Sequence, residues 1–211
     1  MDTNVQSVYN QWADSYDEID NKTRDLDKTA TQMMLGDIIN LSASVLEWGC
    51  GTGKNTAWLL KNVRHLIAID FSEKMLNRAK EKYAAPHLHY KVADIREQWQ
   101  FKNQSFNLIT CNLILEHVHD LDFVFSEAMR VLQPNGYFFI SELHPFKQYK
   151  GSKAQFEMNN ELISPDCYTH HISEFFTSAV TKGFNCTEIK EWFDNDDRQS
   201  TPRLISFLFK K

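Results

Sequence analysis

Glu47 ends a short apolar run and is followed by Gly49-Cys50-Gly51-Thr52-Gly53; Asp70 and Asp94 each end a later apolar run. Alternating glycines let a backbone turn tightly and approach a ligand with no Cβ in the way. A carboxylate at the end of a parallel strand can accept hydrogen bonds from sugar hydroxyls. Together these residues suit the binding of a nucleoside at the carboxyl edge of an open sheet. The spacing narrows the ligand further. A P-loop needs two glycines five apart and then Lys-Ser/Thr; here Trp48 stands five before Gly53, and Lys54 is followed by Asn55. A dinucleotide fingerprint needs G-x-G-x-x-G, and here Lys54 occupies the place of the third glycine. What remains is a nucleoside without a pyrophosphate.

S-adenosylmethionine fits that description, and the stretch Val45-Leu46-Glu47-Trp48-Gly49-Cys50-Gly51-Thr52-Gly53 resembles the first motif of class I S-adenosylmethionine-dependent methyltransferases. The similarity is to the group that includes the ubiquinone/menaquinone- and biotin-biosynthesis methyltransferases. It covers residues 5–143 by motif and the remainder by pattern. Glu47 keeps the family's carboxylate, whereas Trp48 is bulkier than the usual Leu, Ile or Val. The resemblance implies that Asp70 binds the cofactor ribose. It implies that Asp94 accepts from the adenine amino group, with the backbone of Ile95 nearby. It also implies that Asn112 and Leu113 lie near the methionine portion. His117 matches a frequent histidine of the family. Phe71 and Met75 flank Asp70 and could pack on adenine, and Met75 reads equally as helix core. Cys50 occupies a turn that needs a small residue. Tyr9, Trp12 and Tyr16 form an aromatic N-terminal segment that, by resemblance, folds over the cofactor, with Tyr16 the member expected nearest to it.

Methyl transfer is an in-line displacement at a sulfonium, so the protein must mainly exclude water, align the nucleophile and, where needed, take a proton. No catalytic triad is required, and none is visible. The segment after residue 143 holds an acid, histidines, aromatics and lysines. It is long enough for a functional cap. His144 is the leading general base, because imidazole titrates near neutrality; His171, His117 and Glu142 are its rivals. An equally weighted alternative has His144 merely bonding backbone before Pro145. His87 and His89 read as surface, and His119 and Asp120 as turn and cap residues. No acid/histidine spacing matches a metal site, so no metal is expected.

The elements that must position these residues alternate. Helices are expected over 5–19 and 28–40. Strands over 44–48, 66–69, 87–93, 105–111 and 137–143 then alternate with helices over 55–62, 72–83 and 121–132. A helix over 173–181 and strands over 186–192 and 204–209 follow, and 144–168 is irregular. Such alternation makes a doubly wound α/β fold, Rossmann-like and mostly parallel, with helices on both faces. Two final strands with no helix between them make one strand antiparallel. The resemblance implies a seven-stranded sheet. We expect one domain over 1–211, with 1–40 an N-terminal helical lid and 144–172 a substrate-cap insertion.

Composition is that of an ordinary globular chain: 211 residues, 42% hydrophobic, 24% charged, net charge −5. That balance argues against phosphate-backbone binding, so no nucleic-acid partner is expected. No apolar run reaches the length of a membrane span, and no membrane partner is expected. Residues 1–4 show no secretory signal, and four cysteines without C-x-x-C spacing suit a reducing, cytoplasmic setting. The expected function is methyl transfer from S-adenosylmethionine to an O, N or C nucleophile of a small molecule, by a monomer or homodimer. The alternatives are a methyltransferase acting on a protein or carrier-protein-bound substrate, and a non-catalytic S-adenosylmethionine-binding regulatory module. Lys147, Lys150 and Lys153 could form a basic patch for an acidic carrier.

Overall fold

The structure, a computed structural model, describes residues 5–158 and 161–211. The readings of residues 1–4, and of the part of the cap at 159–160, lie outside the described residues. In chain order the elements are α1 (Val5–Trp12), α2 (Lys22–Leu35), β1 (Ser44–Trp48), α3 (Thr56–Asn62), β2 (His65–Asp70), α4 (Glu73–Lys82), β3 (Leu88–Val92) and β4 (Phe106–Asn112). They continue with α5 (Leu121–Val131), β5 (Leu132–Leu143), α6 (Pro145–Tyr149), β6 (Phe156–Met158), β7 (Glu161–Ile163), α7 (Ile172–Thr181), β8 (Asn185–Trp192) and β9 (Leu204–Lys210).

Seven strands form one sheet in the order β3-β2-β1-β4-β5-β9-β8, and β6 pairs with β7 as a separate ribbon. The first five strands are parallel, and β9 runs antiparallel to both β5 and β8. The expected mixed sheet with one antiparallel strand is therefore the fold. Alternation along each strand divides the core in two. Val45, Leu66, Leu108 and Phe139 face Leu35, Leu59 and Leu76 from α2, α3 and α4. Leu46, Ile69, Ile109, Phe138 and Phe207 face Phe125 and Ala128 of α5 and Phe175 of α7. Trp48 belongs to the second layer. Its ring lies against Trp99 with centroids 4.8 Å apart, which accounts for a bulky residue in the glycine motif.

Several boundaries differ from the sequence reading; α2 ends at Leu35, not residue 40, and β5 begins at Leu132, not residue 137. The first helix stops at Trp12, not residue 19, because the turns that follow place Asp14 beside Arg78 and Asp17 beside Lys82 and Thr52. The second begins at Lys22, not 28; Asn21 caps it by accepting from the Arg24 N–H at 3.0 Å. The stretch 144–168 is not wholly irregular, since it holds α6 and the β6–β7 ribbon. Among the described residues, no helix is long and apolar enough to cross a membrane.

Candidate functional site

The parallel strands β1, β2 and β4 end side by side, as the pairings Trp48↔Ile69 and Trp48↔Cys111 show. Their carboxyl ends open into a cleft of about 980 Å³, open mouth included. That is within the size range of small-molecule sites. The turn 49–53 forms its floor. Gly49 has φ +70°, and a Cβ there would lie 2.2 Å from the Ile114 side chain, so the turn and the loop after β4 can meet only at glycine. Gly51 has φ +53°, and a Cβ there would meet nothing within 4 Å. Gly51 therefore presents bare backbone to open space, a cradle that a side chain would fill.

Three acids line the cleft in buried positions. Asp70 accepts the Gly51 N–H at 2.9 Å on one oxygen and the Ser72 N–H at 2.8 Å on the other. Burial still lifts its carboxyl to about 6. Glu47 accepts from the Thr56 hydroxyl at 2.6 Å, and burial lifts it to about 7. Asp27 accepts from Asn55 at 2.9 Å and Asn112 at 2.8 Å, and burial raises it too. At Asp94 the balance reverses. Burial pushes Asp94 up, but its bonds to the Arg96 side chain and backbone outweigh this and hold it low. Arg24 also lines the cleft. Its two terminal nitrogens donate to the carbonyls of Tyr16 (2.5 Å) and Ile19 (2.9 Å), while its buried Nε has no partner among the described residues.

On the far wall, His117 Nδ1 lies 2.8 Å from the Asp166 carbonyl, which can only accept. The proton is therefore on Nδ1, and the Nε2 lone pair accepts the Tyr9 hydroxyl at 3.0 Å. The Tyr9 hydroxyl, the His117 ring and the Asp166 backbone carbonyl thus form a hydrogen-bonded chain leading away from the cleft. Burial pushes the Tyr9 hydroxyl well above its usual range, so it stays protonated until a base withdraws the proton.

Of the cofactor residues expected from sequence, Tyr16, Glu47, Gly49, Cys50, Gly51, Asp70, Phe71, Met75, Asp94, Ile95, Asn112, Leu113 and His117 all line this cleft. Gly53 does not; a Cβ there would meet Tyr83 of the α4 end at 2.8 Å. The two expected catalytic histidines are elsewhere. His144 is fully buried: its N–H donates to the Arg203 carbonyl at 2.9 Å, its Nδ1 accepts the Phe146 N–H, and its Nε2 meets Glu191 at 2.9 Å. It caps α6 and ties β5 to β8. His171 precedes α7, exposed, with its ring on Tyr149. The rival Glu142 is buried beneath the loop after β4 and accepts the N–H groups of Ile114 and Leu115 at 3.0 and 2.9 Å. The sequence reading missed Arg24 and Asp27, because it began the second helix after them; the Asn21 cap was the signal available.

Comparison with known proteins follows the same division between motif and remainder. A family model described as a methyltransferase domain matches residues 46–140. The biotin biosynthesis bifunctional protein BioHC of Saccharophagus degradans is 31% identical over 133 residues, covering 62% of this chain and 23% of that protein. The demethylmenaquinone methyltransferase of Leptospira interrogans is 33% identical over 100 residues, 44% of this chain and 40% of that one. The malonyl-[acyl-carrier protein] O-methyltransferase of Marinomonas sp. is 28% identical over 189 residues, 82% and 66%. The chain therefore spans less than half the length of the first two relatives. A solved S-adenosylmethionine-dependent methyltransferase from Mesorhizobium loti superposes with a TM-score of 0.71 at 19% identity, over 88% of this chain and 100% of that one, which shows a shared fold.

Proposed function

The chain belongs to the class I S-adenosylmethionine-dependent methyltransferases, in the group of the quinone- and biotin-biosynthesis enzymes, and on that premise we propose that it methylates an O, N or C nucleophile of a small molecule. The observation that carries this reading is the cleft itself: bare glycine backbone, buried acids and an unpartnered arginine N–H around one cavity. Bound S-adenosylmethionine supplies a sulfonium whose methyl carbon is the electrophile. Asp70 would hold the ribose hydroxyls, and Asp94 with the Ile95 backbone the adenine edge. Arg24 Nε would donate to the cofactor carboxylate, a charge-assisted bond that satisfies an otherwise orphaned donor. The buried acids Glu47 and Asp27 favour a cationic ligand in the same space. The Tyr9–His117 relay would take the proton that an O–H or N–H acceptor loses as it gains the methyl group.

Titration calorimetry with S-adenosylhomocysteine is expected to give one site per chain in the micromolar range. Folded protein giving no heat would remove the reading. Labelled S-adenosylmethionine with a panel of small hydroxyl, amine and quinol acceptors then tests turnover; binding without transfer to any acceptor would favour the regulatory module.

A second reading, a carrier-bound substrate, is favoured by the relative that acts on malonyl-acyl-carrier protein and aligns with 82% of this chain. Lys147, Lys150 and Lys153 in and after α6 would meet the acidic carrier, although Lys150 already donates to Thr201. Reversing all three charges should abolish transfer to a malonyl-carrier substrate and leave transfer to a free malonyl ester unchanged.

Residues 1–40 act in this proposal as the lid, and 144–172 as the substrate cap, of one domain over 1–211. The lid is fastened to α4 by Asp14–Arg78, by Asp17–Lys82, by Gln6 donating to the Phe71 carbonyl and by Ser72 donating to Asn10. Exposed ion pairs are worth about 0.2–1 kcal/mol each. The double reversal Arg78→Glu/Lys82→Glu is thus expected to speed S-adenosylhomocysteine release roughly three- to tenfold, read by stopped-flow fluorescence. An unchanged release rate would mean that the lid does not gate exchange.

A further inference from the structure

Behind the far wall of the cleft, three side chains with metal-ligating atoms converge from two segments. Glu116 and His117 lie in the 3₁₀ turn Leu115–His117, and Cys167 lies in the cap. One ligating atom from each is within 4.8 Å of the others. Glu116 and His117 are only 7% and 8% exposed. Three hydrogen bonds stitch the two segments together around them. The Tyr168 N–H donates to the Glu116 carbonyl at 2.6 Å, His170 Nε2 donates to the Val118 carbonyl at 2.7 Å, and His117 Nδ1 donates to the Asp166 carbonyl at 2.8 Å. The donor set is thus held in place by backbone contacts that an ion need not create.

The chemistry of the set is specific. An imidazole that ligates a metal characteristically gives its other N–H to a backbone carbonyl or carboxylate, which fixes the ring and its tautomer. His117 has a partner at each nitrogen: Nδ1 lies on the Asp166 carbonyl with Cys167 Sγ 3.9 Å away, and the Nε2 lone pair faces Tyr9. Glu116 Oε2 accepts from Gln148 at 3.3 Å, while the carboxyl also meets the Cys167 thiol and lies 4.0 Å from His117 Nε2. One thiolate and one carboxylate would balance a doubly charged ion, so the occupied site carries no net charge. Sulfur, nitrogen and oxygen together select zinc and its neighbours over magnesium or calcium.

We propose that Glu116, His117 and Cys167 form a binding site for a zinc-like divalent ion. Binding makes one bond to each ligand atom and leaves a fourth position for water. The thiol proton, and the carboxyl proton where present, pass to solvent, and nothing is oxidised or reduced. An ion here takes the one basic lone pair of the neutral His117 ring and so silences the relay. That consequence rests on the relay's role in methyl transfer; the binding itself does not.

The test therefore reads metal, not turnover. Cofactor-free protein is titrated with cobalt(II) chloride, followed by thiolate-to-metal charge-transfer absorption, and with zinc sulfate, followed by calorimetry. One ion per chain is expected. Cys167→Ser should abolish the absorption band, and Glu116→Gln should weaken zinc binding by more than about tenfold. Cys186→Ser, on β8, should change neither. Circular dichroism establishes that each variant is folded. No band in the parent, or an undiminished band in folded Cys167→Ser, would overturn the proposal. Loss of methyl transfer in all samples would count against the enzymatic reading and leave this one standing.

Discussion

Asp70→Ala is expected to weaken S-adenosylhomocysteine binding by about 10²–10³-fold, because two ribose hydroxyls lose a charged acceptor worth roughly 1.5–3 kcal/mol per bond. The same carboxylate holds the Gly51 and Ser72 N–H groups, so the glycine turn also loses its brace. Gly51→Val should have a similar effect for a different reason: its Cβ enters the open space of the cleft, and its φ of +53° disfavours a β-branched side chain. Calorimetry on folded variants checks both; affinity within threefold of the parent would remove Asp70 from the site.

The buried acids also set a pH dependence with opposite signs for stability and binding. Asp70 and Glu47 have ordinary values of 3.8 and 4.5 and are lifted to about 6 and about 7 by burial. A raised acid stabilises the fold at pH below its ordinary value, and that contribution is lost as pH rises through its folded value. The ligand-free protein should thus lose this contribution between pH 4 and 7. Ribose hydroxyls and a sulfonium prefer the ionised carboxylates, so affinity should rise across the upper part of that window. The increase in Tm caused by S-adenosylhomocysteine should accordingly be larger at pH 8 than at pH 5.5. An equal increase at both would mean that neither acid changes protonation on binding.

His117→Ala is expected to lower kcat by about 10²–10⁴-fold, the usual contribution of a general base, with S-adenosylhomocysteine affinity changed far less. Tyr9→Phe should fall in the same range, and the double variant should be no worse than His117→Ala, since the two act as one relay. If kcat is unchanged for an acceptor that must lose a proton, the relay is not the base. His144→Ala separates the competing assignment. It removes a buried cap of α6 and the tie to Glu191, and leaves the Phe146 N–H unpaired. We expect a loss of about 2–4 kcal/mol in stability, measured by urea unfolding, with kcat retained in the folded fraction.

The glycine turn and the acids were legible because their chemistry is local. A glycine motif after a strand forces one turn, and an acid at the end of a parallel strand lands on the ligand edge whatever the distant packing. Thus Glu47, Asp70 and Asp94 could be assigned from spacing, and the structure brings all three to one cleft. Arg24 and Asp27 were partly legible. Their helix was foreseen, but its start was set six residues late, because the apolar pattern is weak before residue 28 and the Asn21 cap went unread.

The histidines were legible only in part: His117 was expected at the cleft and lies there, whereas His144 and His171, expected as bases, lie elsewhere, and the reason is general. A histidine's role depends on which partner reaches its second nitrogen, and those partners lie far away in sequence. His144 meets Glu191 across the sheet, whereas His117 meets Asp166 and Tyr9 across the cleft. The Glu116–His117–Cys167 cluster escaped for the same cause, since no spacing in the chain announces it. By itself, then, the sequence determined the fold class and the floor of the cleft, because strand ends and glycine turns are properties of short segments. Only the tertiary structure decided which histidine faces that cleft and which one braces the sheet, because burial and hydrogen-bond partners are properties of segments brought together.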